Sequence, residues 1–128
     1  YGISVDHSEA ARYSKIAADK GHPISMHNYG TCLLSGKGVS QNKKEAAHYF
    51  KIAADKGDSD SMYVYGYMLQ KGVGTSINEK EAFHYIKMAA ERGNIEAMNK
   101  YRLMLKNFED TSNSSFYDDK AQYSLFKK

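Results

Sequence analysis

The segment EAARYSKIAADKG at 9–21 returns as EAAHYFKIAADKG at 45–57 and EAFHYIKMAAERG at 81–93. Glu9, Glu45 and Glu81 stand 36 residues apart, and Gly21, Gly57 and Gly93 keep the same step with no insertion. A unit of that length with helix-like contents cannot bury an apolar face alone, so stacking neighbours must bury it, which predicts a solenoid. At 128 residues and 41% hydrophobic content, nothing asks for more than one domain spanning 1–128.

The order of signals within each unit predicts a pair of helices. Asp6, Asn42 and Asn78 each precede a Glu by three residues, the N-cap and N3 pattern of a helix start. Small and aromatic residues such as Ala46, Phe50, Ala53 and Ala54 then recur at helical spacing. Helices are expected at about 7–20, 43–56 and 79–92. Lys20, Lys56 and Arg92 suit the carbonyl end of each dipole, and the following Gly supplies a left-handed stop. Pro23, Asp58 with Ser59, and Asn94 open partner helices at about 23–35, 59–71 and 94–106, aligned through Met26, Met62 and Met98 and through Tyr29, Tyr65 and Tyr101. Gly30 and Gly66 lie in mid-helix and are expected to let the two helices of a pair touch backbones; Arg102 occupies the third such position.

The register places residues 1–6 inside a loop, because Gly2 aligns with Gly38 and Gly74. After residue 106 the Gly-x-Gly signal is lost. A loop is expected over 107–117 and the first turns of a truncated last helix over 118–128. Because the chain opens on Tyr1, it reads as an excerpt of a longer protein, with neighbouring repeats at both ends.

The succession Ala/Ser-Met-x-x-Tyr-Gly, Leu-x-x-Gly-x-Gly-Val, Asn, Glu-Ala and Lys-x-Ala-Ala-x-x-Gly at this period resembles the Sel-one-like repeats, a branch of the tetratricopeptide superfamily, over about 2–106. The resemblance implies an all-α, right-handed alpha-alpha superhelix of tetratricopeptide-like helix pairs whose concave groove binds other proteins. It implies an adaptor rather than an enzyme.

Candidate chemistry is thin. Glu45 with His48 and Glu81 with His84 form Glu-x-x-His motifs of the kind that hold paired metals, but they fall in the first turns of roughly parallel repeat helices, and the first copy carries Arg12 in the His place. Residues 30–38 miss the phosphate-loop spacing, and their glycines read as turn residues. The lone Cys32 allows no intramolecular disulfide and leans towards a reducing, cytoplasmic compartment. Asn113-Ser114-Ser115 is formally a glycosylation acceptor. No catalytic residue, metal or cofactor is expected. The net charge of +3 is spread over both signs, which implies neither nucleic acid nor a membrane surface as partner, and no apolar run approaches the roughly 18 residues a membrane helix needs.

The resemblance implies that the helix bearing Tyr-Gly lines the inner surface. A protein or peptide partner then meets His27, Thr31 and Leu34, next Tyr63, Tyr67 and Gln70, and next Asn99, Leu103 and Lys106. Tyr65 takes the packing position in the middle unit, so Tyr63 and Tyr67 are expected on a face the core does not require, as interface anchors. Two other functions stand beside this one. Some Cys-rich relatives have been associated with β-lactam hydrolysis, and helical repeats can bind RNA; the first lacks its paired cysteines here and the second a basic groove.

Overall fold

A computed structural model of the chain describes residues 6–111. These form six helices and no strand: α1 (His7–Asp19), α2 (Pro23–Ser35), α3 (Lys43–Asp55), α4 (Ser59–Lys71), α5 (Glu79–Glu91) and α6 (Ile95–Thr111). Five of these starts are fixed by a side chain that accepts a backbone N–H, from Glu9 to Asp6, Glu45 to Asn42, Glu81 to Asn78, Ser61 to Asp58 and Ala97 to Asn94. His22 opens α2 without a side-chain cap, and Pro23, which has no N–H to satisfy, follows it.

The odd-numbered helices end alike. The N–H groups of Gly21, Gly57 and Gly93 bond to the carbonyls of Ala18, Ala54 and Ala90, and those of His22, Asp58 and Asn94 to Ala17, Ala53 and Ala89. That is a paired C-terminal cap with a left-handed residue at the turn, at φ between +91° and +105°. Lys20, Lys56 and Arg92 lie one residue past the helix, where Arg92 Nη1 reaches back 3.3 Å to the Gly57 carbonyl of the preceding unit.

Each helix packs chiefly on the next in sequence, most extensively α2 on α3 and α4 on α5. This corrects the expected role of the mid-helix glycines. A Cβ on Gly30 would lie 3.0–3.2 Å from the ring of Phe50 in α3, and one on Gly66 would lie 2.6 Å from Ile86 Cγ1 in α5. The close approach therefore joins α2 to α3 and α4 to α5, and not α1 to α2. One continuous core results. It contains Phe50, Met62, Phe83, Ile86, Tyr101 and the alanines of α3 and α5, with Met26, Met68 and Met104 as filler.

The second glycine of each Gly-x-Gly loop has its own task. A Cβ on Gly38 would collide with the His7 carbonyl and one on Gly74 with the Lys43 carbonyl, so each loop lies against the start of the odd helix before it. The loop expected from residue 107 is also corrected, because α6 continues to Thr111. Residues 107–111 contain neither Gly nor Pro to stop it. The rest of that loop, the truncated helix at 118–128, the Asn113 triplet and the opening residues 1–5 lie outside the described residues.

Candidate partner-binding face

The two layers of the solenoid carry different chemistry. In the layer of α1, α3 and α5, the Tyr49 hydroxyl donates to Asp19 Oδ1 at 2.9 Å and the Tyr85 hydroxyl to Asp55 Oδ1 at 2.7 Å. The other oxygen of each aspartate accepts from a lysine one turn back, Lys15 at 2.8 Å and Lys51 at 3.0 Å. The spacing of 15 to 19 and 51 to 55 predicts the lysine pairs, but not the tyrosines. Their signal was a second column of step 36, Tyr13, Tyr49 and Tyr85, of which Tyr49 and Tyr85 stand 30 residues after Asp19 and Asp55. Each tyrosine ring also meets an even-helix tyrosine edge to face, Tyr49 against Tyr29 at 5.1 Å and Tyr85 against Tyr65 at 4.9 Å.

These contacts set the local titration. Hydrogen bonds from Lys15 and Tyr49 hold the Asp19 carboxyl below its ordinary value. For Asp55, burial pushes the other way, yet the bonds from Tyr85 and Lys51 still leave it depressed. Burial and the bond to Asp19 push the Tyr49 hydroxyl up to about 12, and Tyr85 moves further in the same direction for the same reasons.

In the layer of α2, α4 and α6, the nine residues expected to meet a partner form three columns of step 36. The column His27, Tyr63 and Asn99 is drawn partly into the solenoid. His27 Nδ1 lies 3.1 Å from Ser61 Oγ, the buried Ser61 hydroxyl donates to Asp58 at 2.6 Å, and the His27 ring meets Phe50 edge to face. His27 is thus a clasp between α2 and α4. Tyr63 is half-buried and packs against the core, so the expectation that it stands free is corrected; Asn99 is exposed and accepts from Arg102 at 3.2 Å. In the column Leu34, Gln70 and Lys106, Leu34 packs on the core, Gln70 is half-buried and Lys106 is exposed.

The remaining column, Thr31, Tyr67 and Leu103, is exposed throughout. Tyr67 is 42% exposed and Leu103 60%. Lys100 Nζ, from α6, stands 5.9 Å from the Tyr67 ring centroid. Tyr65 is buried as expected, so Tyr67 is the aromatic of this helix that points away from the core.

Among the described residues no three His, Cys, Asp or Glu side chains converge on a point that could hold a metal. His48 and His84 are exposed, and their rings rest edge to face against Tyr49 and Tyr85. Cys32 is half-buried and packs on the core. An open depression of about 400 Å³ between the start of α4 and the α5–α6 turn is lined by Ser59, Asp60, Arg92 and Asn94 among others, with no nucleophile and base paired in it. No helix among the described residues is long and apolar enough to cross a membrane.

Two helical layers stacked at a fixed period, one bonded column to column and the other presenting a varied side-chain face, define a repeat-built α-helical scaffold. The chain belongs to the Sel1 repeat family, which matches residues 1–22, 23–58 and 59–94. In that phase each unit begins with the Tyr-Gly helix, so the pairs α2–α3 and α4–α5 joined by Gly30 and Gly66 are the family's own units. The fold is similar to that of c5321, a protective antigen of uropathogenic Escherichia coli displaying an SLR fold, at 29% identity and a TM-score of 0.77. That match covers 80% of this chain and 22% of the antigen. A Sel1 repeat protein from Oxalobacter formigenes matches at 29% identity and a TM-score of 0.75, over 80% of this chain and 30% of its own. Cysteine rich protein B of Helicobacter pylori shares the fold at 24% identity and a TM-score of 0.70, over 74% of this chain and 71% of its own. This chain thus spans less than a third of the first two. No curated protein matches it. Sel1 repeats generally serve as protein-interaction scaffolds and are typically not enzymes.

Proposed function

We propose that this chain is a non-catalytic scaffold that holds a protein or peptide segment against the α2–α4–α6 layer, with Tyr67 and Leu103 as its apolar centre. The observation that carries this reading is the exposed column Thr31, Tyr67 and Leu103. Two large side chains in one column, Tyr67 and Leu103, are left to solvent although the core does not need them there. Such side chains are the kind that contribute most when a partner desolvates them. Asn99 and Lys106 supply polar rim contacts, while His27, Leu34, Tyr63 and Gln70 set the shape of the face from below.

The test is selection of binders from a phage-displayed library of random dodecapeptides on the full 128-residue chain. Selected peptides are expected to lose at least about tenfold in affinity for Tyr67→Ala/Leu103→Ala. Peptides that bind this double variant as well as the parent would move the binding surface elsewhere.

A further inference from the structure

Charge on the proposed face is unevenly placed. On α4, Lys71 follows Tyr67 by one turn and is exposed. On α6, Lys100 stands over the Tyr67 ring, and Leu103 and Lys106 follow it in successive turns. Among the described residues none of Lys71, Lys100 and Lys106 enters an ion pair. Lys71 sits in the last turn of α4, where the helix carbonyls offset part of its charge, but Lys100 lies in mid-helix without that help. Burial, and then the charge of Lys71, hold Lys100 below its ordinary value.

Acids of this layer stand in the caps and first turns of α4 and α6, Glu96 one turn before Lys100. Asp58 accepts from Ser61, Asp60 Oδ1 accepts from Asn94 at 2.9 Å, and Glu96 lies in the first turn of α6 near Tyr63. Tyr67 and Leu103 are therefore bordered by cations that enter no ion pair among the described residues. An anion placed there relieves the repulsion between two ammonium groups, and the neighbouring ring and isobutyl group reward an apolar side chain beside it.

Resting on the scaffold reading above, we infer that the α4–α6 half of the face selects peptide segments in which one or two Asp or Glu carboxylates adjoin a large apolar side chain. The apolar side chain seats on Tyr67 and Leu103, and the carboxylates on Lys71 and Lys100. A nucleic acid fits less well, because the α2 positions that match Lys71, Lys100 and Lys106, namely Ser35, Asn28 and Leu34, carry no cation and a phosphate track needs several in line.

The experiment sequences the peptides selected from the random dodecapeptide library and measures their binding by fluorescence anisotropy, beside a labelled twelve-nucleotide oligouridylate. Enriched peptides are expected to carry Asp or Glu within three residues of a large apolar residue. Their binding is expected to weaken at least about tenfold for Lys71→Glu/Lys100→Glu, by less for Lys71→Gln/Lys100→Gln, and severalfold between 50 and 300 mM salt. The glutamine variant, with melting temperature measured beside it, separates lost charge from lost folding. Peptides that need Tyr67 and Leu103 but bind both lysine variants unchanged would overturn the acidic preference and leave the scaffold reading standing. Oligouridylate binding more tightly than the peptides would overturn it in favour of nucleic acid. Failure to enrich any peptide dependent on Tyr67 and Leu103 would count against both readings.

Discussion

The layer of α1, α3 and α5 repeats its chemistry from unit to unit, whereas the layer of α2, α4 and α6 does not. The Lys15–Asp19–Tyr49 contact is rebuilt as Lys51–Asp55–Tyr85, with distances that agree within a few tenths of an ångström. In the other layer the clasp of His27 with Ser61 and Asp58 has no second copy, because Tyr63, Ala97 and Asn94 occupy the equivalent positions. Side chains that hold a stack together must repeat with it. Positions on the opposite layer are released from that demand, and there Thr31, Tyr67 and Leu103 share one column while differing in chemistry.

The largest effect should come from breaking the contact between loop and odd helix. Gly74→Ala places a side chain at φ +71° and drives its Cβ into the Lys43 carbonyl, so a loss of about 3 kcal/mol is expected from left-handed strain and overpacking together. Urea unfolding measures it; a midpoint equal to the parent's would show that the loop does not need glycine.

The close-packed helix pairs give the next effect, and they should not be equal. Gly66→Ala meets fully buried Ile86 and the Ala82 carbonyl, while Gly30→Ala meets only the edge of the Phe50 ring, at 3.0 Å or more. With the gain in helix propensity subtracted, about 2 kcal/mol is expected for the first and about 1 or less for the second. The reverse order in the same unfolding assay would mean that the ring of Phe50 yields less than Ile86.

Tyr85→Phe removes one rung and should cost about 1 kcal/mol at neutral pH. Asp55 is depressed below the ordinary aspartate value of 3.8. Its contribution is therefore complete above that value and is lost as pH falls through the lower folded-state value. The gap between Tyr85→Phe and the parent should accordingly narrow below about pH 3.8. A gap that stays constant from pH 7 to pH 2.5 would show that the hydroxyl acts without the carboxylate.

The same contrast explains what the sequence could and could not reveal. Helix starts and stops were legible because Asp6, Asn42, Asn78 and the C-terminal glycines act locally, on backbone groups a few residues away. The partners of Gly30 and Gly66 were not, since a period fixes the length of a unit but leaves open which two helices press closest. The rungs of Tyr49 and Tyr85 were hidden for a related reason: they join residues 30 apart that neither helix alone brings together. The end of α6 was misjudged by reading a missing Gly-x-Gly as a loop, when a helix with no glycine to stop it simply continues. Of the nine face residues, the column through Tyr67 was placed correctly in solvent. Tyr63 was not, because an inner helix of a stack is flanked by more than one neighbour, so a position turned away from Tyr65 still meets apolar surface.

If one layer holds the stack and the other meets the partner, damage to each must show in a different readout. Dodecapeptides selected on the parent chain are titrated against Tyr67→Ala/Leu103→Ala and against Tyr49→Phe/Tyr85→Phe, at a temperature where all three proteins are folded. The face variant is expected to bind at least about tenfold more weakly with its unfolding midpoint unchanged, and the rung variant to bind as the parent does with its midpoint lowered. Equal binding by the face variant, or a loss of binding confined to the rung variant, would contradict the assignment of partner recognition to the α2–α4–α6 layer.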